Sequence, residues 1–179
     1  MNRTIIKLFF YLCILTALPS YAQNAVHYYF KTMDIRNGLS QNTVYQILQD
    51  RKGFMWFGTK DGLNRYDGLS YRVYKKENSG LGKNFITALY EDHEGNIWIG
   101  TDGGVFIYNP VLDSFTAFNQ TSDKGTVIKD FVTMIGSDEY DNIWISVENQ
   151  GLFCYNHEKR LRNYLHDSCL LYTSDAADE

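Results

Sequence analysis

The chain has 179 residues and a formal net charge of −4, with 17 basic and 21 acidic side chains mixed along it. No stripe of lysines and arginines stands out, so this composition argues against contact with nucleic acid. The three cysteines show no spacing typical of a disulfide framework or a thiolate metal site.

Residues 1–22 have the pattern of a secretory signal peptide. Two basic residues precede an apolar run from Leu8 to Leu18, and Ser20-Tyr21-Ala22 supplies small residues where signal peptidase cleaves. The apolar run is shorter than the ~20 residues that a membrane-spanning helix needs. We therefore expect cleavage after Ala22 and a mature chain outside the cytoplasm.

From residue 23 onward the sequence contains three related units. Trp56, Trp98 and Trp144 lie 42 and then 46 residues apart, a period typical of propeller blades. An aspartate stands six residues before each tryptophan, and a Gly-Thr pair follows the first two, whereas the third unit has Ser146-Val147. The repeated positions are Asp50, Trp56, Gly58, Thr59, Asp92, Trp98, Gly100, Thr101, Asp138 and Trp144.

Each unit contains four short runs rich in β-branched and aromatic residues, separated by turn residues. This pattern predicts four antiparallel strands, which make one propeller blade. The fold prediction is therefore all-β, with four-stranded antiparallel blades in residues 23–167 and an incomplete ring of about three repeats. The tryptophans occupy a repeated apolar position, so we expect them to be buried against the next blade.

The two ends of the chain carry separate expectations. Tyr28-Tyr29-Phe30-Lys31 aligns with the outer strand that precedes each later unit, so it is predicted to complete a blade beyond the end of this chain. A ring normally needs four to eight blades, which predicts that the chain is a fragment. Residues 168–179 depart from the repeat and are similar to a translated sequencing adapter, so we treat them as an artefactual tail.

A longer pattern identifies a family resemblance. Asp-x-x-Gly-x-x-Trp-x-Gly-Thr-x-x-Gly-Leu-x-x-Tyr spans residues 50–66 and recurs over 92–108 with Val105 for leucine. It resembles the two-component regulator propeller repeat, as does the opening Gly38-Leu39-Ser40-Gln41-Asn42. The resemblance covers about residues 27–166.

The resemblance implies a function for a longer parent protein. Such proteins are typically hybrid sensor histidine kinases whose periplasmic propellers, held at the inner membrane, detect a glycan breakdown product and signal to transcription. The implied partners are an oligosaccharide or other small periplasmic ligand, the downstream blades, the membrane and kinase domains, and a second copy in a homodimer. The kinase domains lie outside this sequence, so we expect no catalytic residue, cofactor or metal here.

Propellers usually bind ligands at the loops of one channel end, which singles out the residues beside the Gly-Thr turns. The candidate ligand-binding residues are Lys60, Asp61, Asp102 and Gly103. The acidic stretches 92–96 and 137–142 faintly resemble calcium loops. The first repeat has Arg51 and Lys52 there, so we interpret all three stretches as turns capped by a side chain.

Two other functions are compatible with these residues. One is a secreted propeller lyase or glycosidase, and the other is a propeller sensor with a different output, such as a cyclase or phosphatase. The full-length gene would separate them, because both sensors require a membrane helix and a cytoplasmic output downstream.

Overall fold

The computed structural model describes residues 28–164. The predicted signal peptide, with its cleavage after Ala22, and the predicted tail at 168–179 therefore lie outside the described residues. Within that part of the chain, one 3-10 turn precedes the strands, at Ile35–Asn37. No helix of the described chain is long and apolar enough to cross a bilayer.

The described chain forms three four-stranded antiparallel sheets, each built from strands consecutive in sequence. This confirms the all-β prediction of propeller blades, and each of the three blades has its four strands. Blade 1 comprises β1 (Val44–Gln49), β2 (Met55–Thr59), β3 (Gly62–Tyr66) and β4 (Tyr71–Tyr74); blade 2 comprises β5 (Ile86–Glu91), β6 (Ile97–Thr101), β7 (Gly104–Asn109) and β8 (Ser114–Ala117); blade 3 comprises β9 (Val132–Ser137), β10 (Ile143–Val147), β11 (Gly151–Tyr155) and β12 (Leu161–Tyr164).

The innermost strands hold the three blades in sequence order. β5 contacts both β1 and β9, and each of these strands carries an irregular register near its first residues. The tryptophans lie on β2, β6 and β10, the second strand of each blade. The register irregularity therefore recurs at the same place in every blade.

An aspartate and a tryptophan fix the first turn of every blade. In blade 2, Asp92 Oδ1 accepts hydrogen bonds from the backbone N–H groups of Glu94 and Asn96, and Asp92 Oδ2 accepts one from Trp98 Nε1 at 2.8 Å. The same set of bonds occurs at the other two turns, where Trp56 donates to Asp50 at 2.8 Å and Trp144 donates to Asp138 at 2.9 Å. We call this arrangement the Asp–Trp turn.

The Asp–Trp turn requires one residue with a positive φ angle, three positions after the aspartate. Gly53 and Gly95 fill this position with φ of 87° and 84°, and Asp141 fills it in the third repeat with φ of 59°. Aspartate tolerates the left-handed region better than most side chains, which explains why the third turn keeps its shape without glycine.

The apolar core lies between blades. Trp56, Leu63 and Tyr74 of blade 1 pack with residues of blade 2, and a second cluster joins blade 2 to blade 3 around Trp98 and Phe153. Each fully buried side chain of this size contributes roughly 1.5–3 kcal/mol. Cohesion between neighbouring blades therefore comes mainly from the faces of the sheets.

Two glycines let the blades approach closely. A Cβ atom at Gly58 would lie 2.8 Å from a side-chain atom of Ile86, and one at Gly100 would lie 2.7 Å from a side-chain atom of Val132. Both contacts reach the innermost strand of the following blade. This explains the glycine of the Gly-Thr pair, which Ser146 replaces in blade 3.

Residues 28–31 form no strand within the described chain. Their pairing with a blade beyond the end of this chain stays a prediction. One detail differs from the sequence-based expectations. Trp144 is half-buried, whereas Trp56 and Trp98 are 1% and 3% exposed, because no described residue packs on the blade 3 face that carries Trp144 as blade 2 packs on blade 1.

The wider spacing of the third repeat has two sources, because the β7–β8 turn and the excursion between blades 2 and 3 are both longer than their counterparts one repeat earlier. Residues 119–131 contain an isolated bridge between Thr121 and Val127. Asp123 N donates to Leu161 O at 3.0 Å, and Asp123 Oδ1 accepts from Asn163 N at 2.9 Å. The excursion thus hydrogen-bonds to the backbone of β12, the outer strand of blade 3.

Candidate functional site

The candidate ligand residues lie in the turns that join the second and third strands of blades 1 and 2. Thr59 Oγ1 donates to Gly62 O at 2.9 Å and accepts from Asp61 N at 3.1 Å. Thr101 makes the same two bonds in blade 2, to Gly104 O at 2.7 Å and from Gly103 N at 3.2 Å. The buried threonine therefore shapes the turn, and the residues between it and the glycine face outward. We call this end of the blades the Gly-Thr end.

The segment that leads into blade 2 lies at the same end. Gly62 N donates to Asn84 O at 2.8 Å, and Asp102 N donates to Phe85 O at 3.3 Å. These bonds place the segment before β5 between the turns of blades 1 and 2.

A hollow of about 410 Å³ lies between these turns. It brings together two of the four candidates, Lys60 and Asp102. The other two lie elsewhere: Asp61 forms an ion pair with Lys75 at 2.6 Å, and Gly103 is covered by the side chain of Lys83. The hollow is lined by Lys60, Lys76, Gly82, Lys83, Asn84, Phe85 and Asp102.

The hollow is positively charged although the chain as a whole is acidic. Lys60, Lys76 and Lys83 face one carboxylate, Asp102. Lys76 has an acidic partner in Glu77 at 3.7 Å, but Lys60 and Lys83 form no ion pair within the described residues. Two ammonium groups are thus left to attract an anionic group from solution.

Aromatic rings line the beginnings of the innermost strands at the Gly-Thr end. The ring centroid of Phe85 lies 4.8 Å from that of Tyr45 and 5.6 Å from that of Phe131. Lys60 Nζ lies 6.0 Å from the centre of the Phe85 ring. Sequence reasoning missed these rings, although Asn84-Phe85 and Asp130-Phe131 repeat at the same place before β5 and β9.

The aspartates of the acidic stretches that resemble calcium loops already accept hydrogen bonds within the Asp–Trp turns. Both carboxylate oxygens of Asp92 and of Asp138 accept hydrogen bonds from N–H donors. The side chain of Asn142 and the indole of Trp144 lower the pKa of Asp138 to about 2. In residues 28–164, no three His, Cys, Asp or Glu side chains converge as metal ligands do.

Comparison with known proteins identifies the repeat. The sequence model of the two-component regulator propeller matches residues 38–61 and 80–103, the first two Gly-Thr units. Residues 38–61 and 80–103 are two-component regulator propeller repeats. The matched ranges include Lys60, Asp61, Asp102 and Gly103, so the candidate residues lie within the propeller repeats themselves.

The chain is similar to proteins of two-component systems. It is 42% identical over 59 residues to a histidine kinase of Formosa agariphila. These 59 residues are 33% of this chain and 4% of that protein. The extracellular domain of a hybrid two-component system from B. thetaiotaomicron matches with a TM-score of 0.67 and 29% identity over 75% of this chain and 20% of that one. A second such domain from the same organism matches with a TM-score of 0.60 and 28% identity, over 68% of this chain and 19% of that one.

The chain spans about a fifth of the length of these extracellular domains and 4% of the length of the histidine kinase.

Proposed function

We propose that this chain is a segment of a ligand-sensing propeller, exported to the periplasmic side of the inner membrane, in a hybrid sensor histidine kinase. The sensor detects a glycan breakdown product and signals across the membrane to transcription. One combined observation carries the proposal. The repeats match the model of the two-component regulator propeller, and the fold matches extracellular domains of hybrid two-component systems.

The exposed face of blade 3 supports further blades downstream. Leu63 of blade 1 is fully buried against blade 2, whereas Leu152, at the same register of blade 3, is 38% exposed. Met134 and Tyr164, on the same face, are 62% and 47% exposed. An apolar face of this kind is covered by a neighbouring blade in a closed ring.

The hollow at the Gly-Thr end is the proposed contact for the sensed ligand. Its lysines favour a saccharide that carries a carboxylate or a sulfate, and its floor, Phe85, offers an apolar surface to a sugar ring. A phosphorelay that starts in the kinase domains of the parent protein would then report occupancy of this end.

The test measures binding of oligosaccharides to the full-length protein by calorimetry. We expect oligogalacturonides or sulfated oligosaccharides to bind, and the double change Lys60→Ala and Lys83→Ala to weaken binding by about tenfold or more. Lys52→Ala, in an Asp–Trp turn, is the matched control and should bind normally. Unchanged affinity in the double variant would remove the hollow from the proposal.

The same experiment separates a sensor from an enzyme. A sensor returns the oligosaccharide intact and raises phosphate transfer in the kinase domains when it binds. Shortened products with no effect on phosphorylation would instead support a lyase or glycosidase.

A further inference from the structure

The two blade junctions differ at three equivalent positions. Between blades 1 and 2, the hydroxyl of Tyr108 accepts a hydrogen bond from Arg65 at 3.1 Å and donates one to Asp113 at 2.8 Å. Tyr74 also donates to Asp113 at 3.3 Å, and Arg72 forms an ion pair with Asp113 at 2.6 Å. This network fills the outer part of the junction.

Around the corresponding tyrosine of blade 3, Tyr155, different residues stand in the places of Arg65, Tyr74 and Asp113. Ile107 pairs with Trp98 as Arg65 pairs with Trp56, and Phe118 stands where Tyr74 stands. Lys159 takes the place of Asp113; both have a positive φ, 59° and 48°. The tyrosine hydroxyl of blade 3 has no hydrogen-bond partner among the described residues.

These replacements coincide with an open cleft of about 680 Å³ between blades 2 and 3. Ile107, Phe118 and Tyr155 give it an apolar floor. The rings of Phe118 and Tyr155 are 5.1 Å apart and both lie against Trp98. Burial raises the pKa of Tyr155, so its hydroxyl stays protonated and can donate at neutral pH.

The rim of the cleft combines groups of both charges with amides. The rim carries the ammonium group of Lys159 and the carboxylates of Glu94 and Asp141, while Asp92 already accepts a hydrogen bond from Trp98. A ligand with a net charge would meet a like charge on this rim. Amide side chains both donate and accept, as sugar hydroxyls do; those on the rim are Asn96, Asn119, Gln120 and Asn156.

We propose that the blade 2–blade 3 cleft is a second binding site, for a neutral sugar ring that stacks on the apolar floor and bonds to the Tyr155 hydroxyl. The C–H face of a pyranose suits the negative face of an aromatic ring. The site is separate from the hollow at the Gly-Thr end and does not depend on the sensor function proposed above.

The experiment introduces the residues of the blade 1–blade 2 junction, the closed junction, into the blade 2–blade 3 cleft. The triple variant Ile107→Arg, Phe118→Tyr and Lys159→Asp copies the residues of the first junction. The full-length protein is labelled with 5-fluorotryptophan and titrated with methyl pyranosides of glucose, galactose, mannose and xylose. Fluorine NMR then follows Trp98, with Trp56 in the closed junction as the internal control.

We expect at least one neutral pyranoside to shift the Trp98 resonance while the Trp56 resonance stays in place. The triple variant should weaken this binding by about tenfold or more, and Tyr155→Phe, which removes one hydroxyl, by about three- to tenfold. Glucuronic acid and glucosamine should bind more weakly than the neutral sugars.

Three results would overturn the proposal. These are no shift at Trp98 with any neutral pyranoside, equal affinity in the triple variant, or a preference for the charged sugars. Tyr155→Phe retains the ring and its contacts, so it tests the site even where the triple variant folds poorly.

Discussion

At the scale of single residues, one carboxylate accepts most of the hydrogen bonds that hold the Asp–Trp turn. Asp138 accepts bonds from two backbone amides, from the side chain of Asn142 and from the indole of Trp144. These donors favour the ionised carboxylate, which is why the pKa of Asp138 falls from 3.8 to about 2. The turn is therefore sensitive to protonation.

This sensitivity predicts an acid-dependent loss of stability. The pKa of Asp138 is lower in the folded than in the unfolded chain, so its contribution is complete above pH 3.8 and is lost as the pH falls to about 2. Urea unfolding between pH 6 and pH 2 should show a steeper loss for the wild type than for Asp138→Asn. Glu139→Gln, in the same turn but outside these bonds, should keep the wild-type dependence; identical profiles for all three proteins would contradict the assignment.

Much of this turn could be predicted from the sequence, since the aspartate and the tryptophan recur at a constant spacing of six residues. The repeat alignment also places Asp141 in the turn, where its positive φ replaces that of a glycine. Of the three lysines of the hollow, the sequence predicted Lys60 alone. Lys76 and Lys83 come from the connection between blades, and their approach to Lys60 depends on the angle at which two blades meet.

At the scale of the element, the glycine of the Gly-Thr pair determines how closely two blades approach. Gly100 lies on β6 against Val132 at the start of β9, with no room for a Cβ. A Cβ at Gly136, on β9, would meet no atom within 4 Å, and the φ of Gly136 is not in the left-handed region. The two glycines therefore form a natural pair for comparison.

We expect Gly100→Ala to destabilise the protein by about 1–3 kcal/mol, because the new methyl group overpacks the junction. Gly136→Ala should be neutral or slightly stabilising, since it restricts the unfolded chain without a clash. Thermal and urea unfolding measure both. Val132→Ala should partly restore Gly100→Ala, and equal effects at the two glycines would show that the close approach is unimportant.

The difference between the two junctions also belongs to this scale, and the sequence alone did not reveal it. Asp113 lies 39 residues after Tyr74, in the next repeat, and each of Arg65, Tyr74 and Asp113 is replaced by an unremarkable residue one repeat later. Only the register of the strands shows that Ile107, Phe118 and Lys159 occupy the same three places around Tyr155.

At the scale of the whole molecule, the three blades have unequal neighbours. Blade 2 is covered on both faces, whereas blade 3 exposes Met134, Leu152 and Tyr164. Repeat proteins draw stability from such neighbour contacts, so these exposed side chains predict association when no further blade covers them.

Residues 23–167 expressed alone should therefore aggregate or open partly. Addition of the downstream blades of the parent gene should give a soluble, cooperatively melting protein. Sedimentation velocity and calorimetry compare the two forms. A monomeric fragment that melts cooperatively would contradict this view of the blades.

The Asp–Trp turn also bears on how such a ring can evolve. Its hydrogen bonds join residues at most six positions apart. A duplicated unit of about 42 residues therefore contains every residue that the turn needs. To pack against the neighbouring blades, the new copy mainly needs a small residue at the Gly58 or Gly100 position and an apolar face. Recombination between copies can thus lengthen or shorten the array, while the outer residues of each junction diverge freely, as those around Tyr108 and Tyr155 have done.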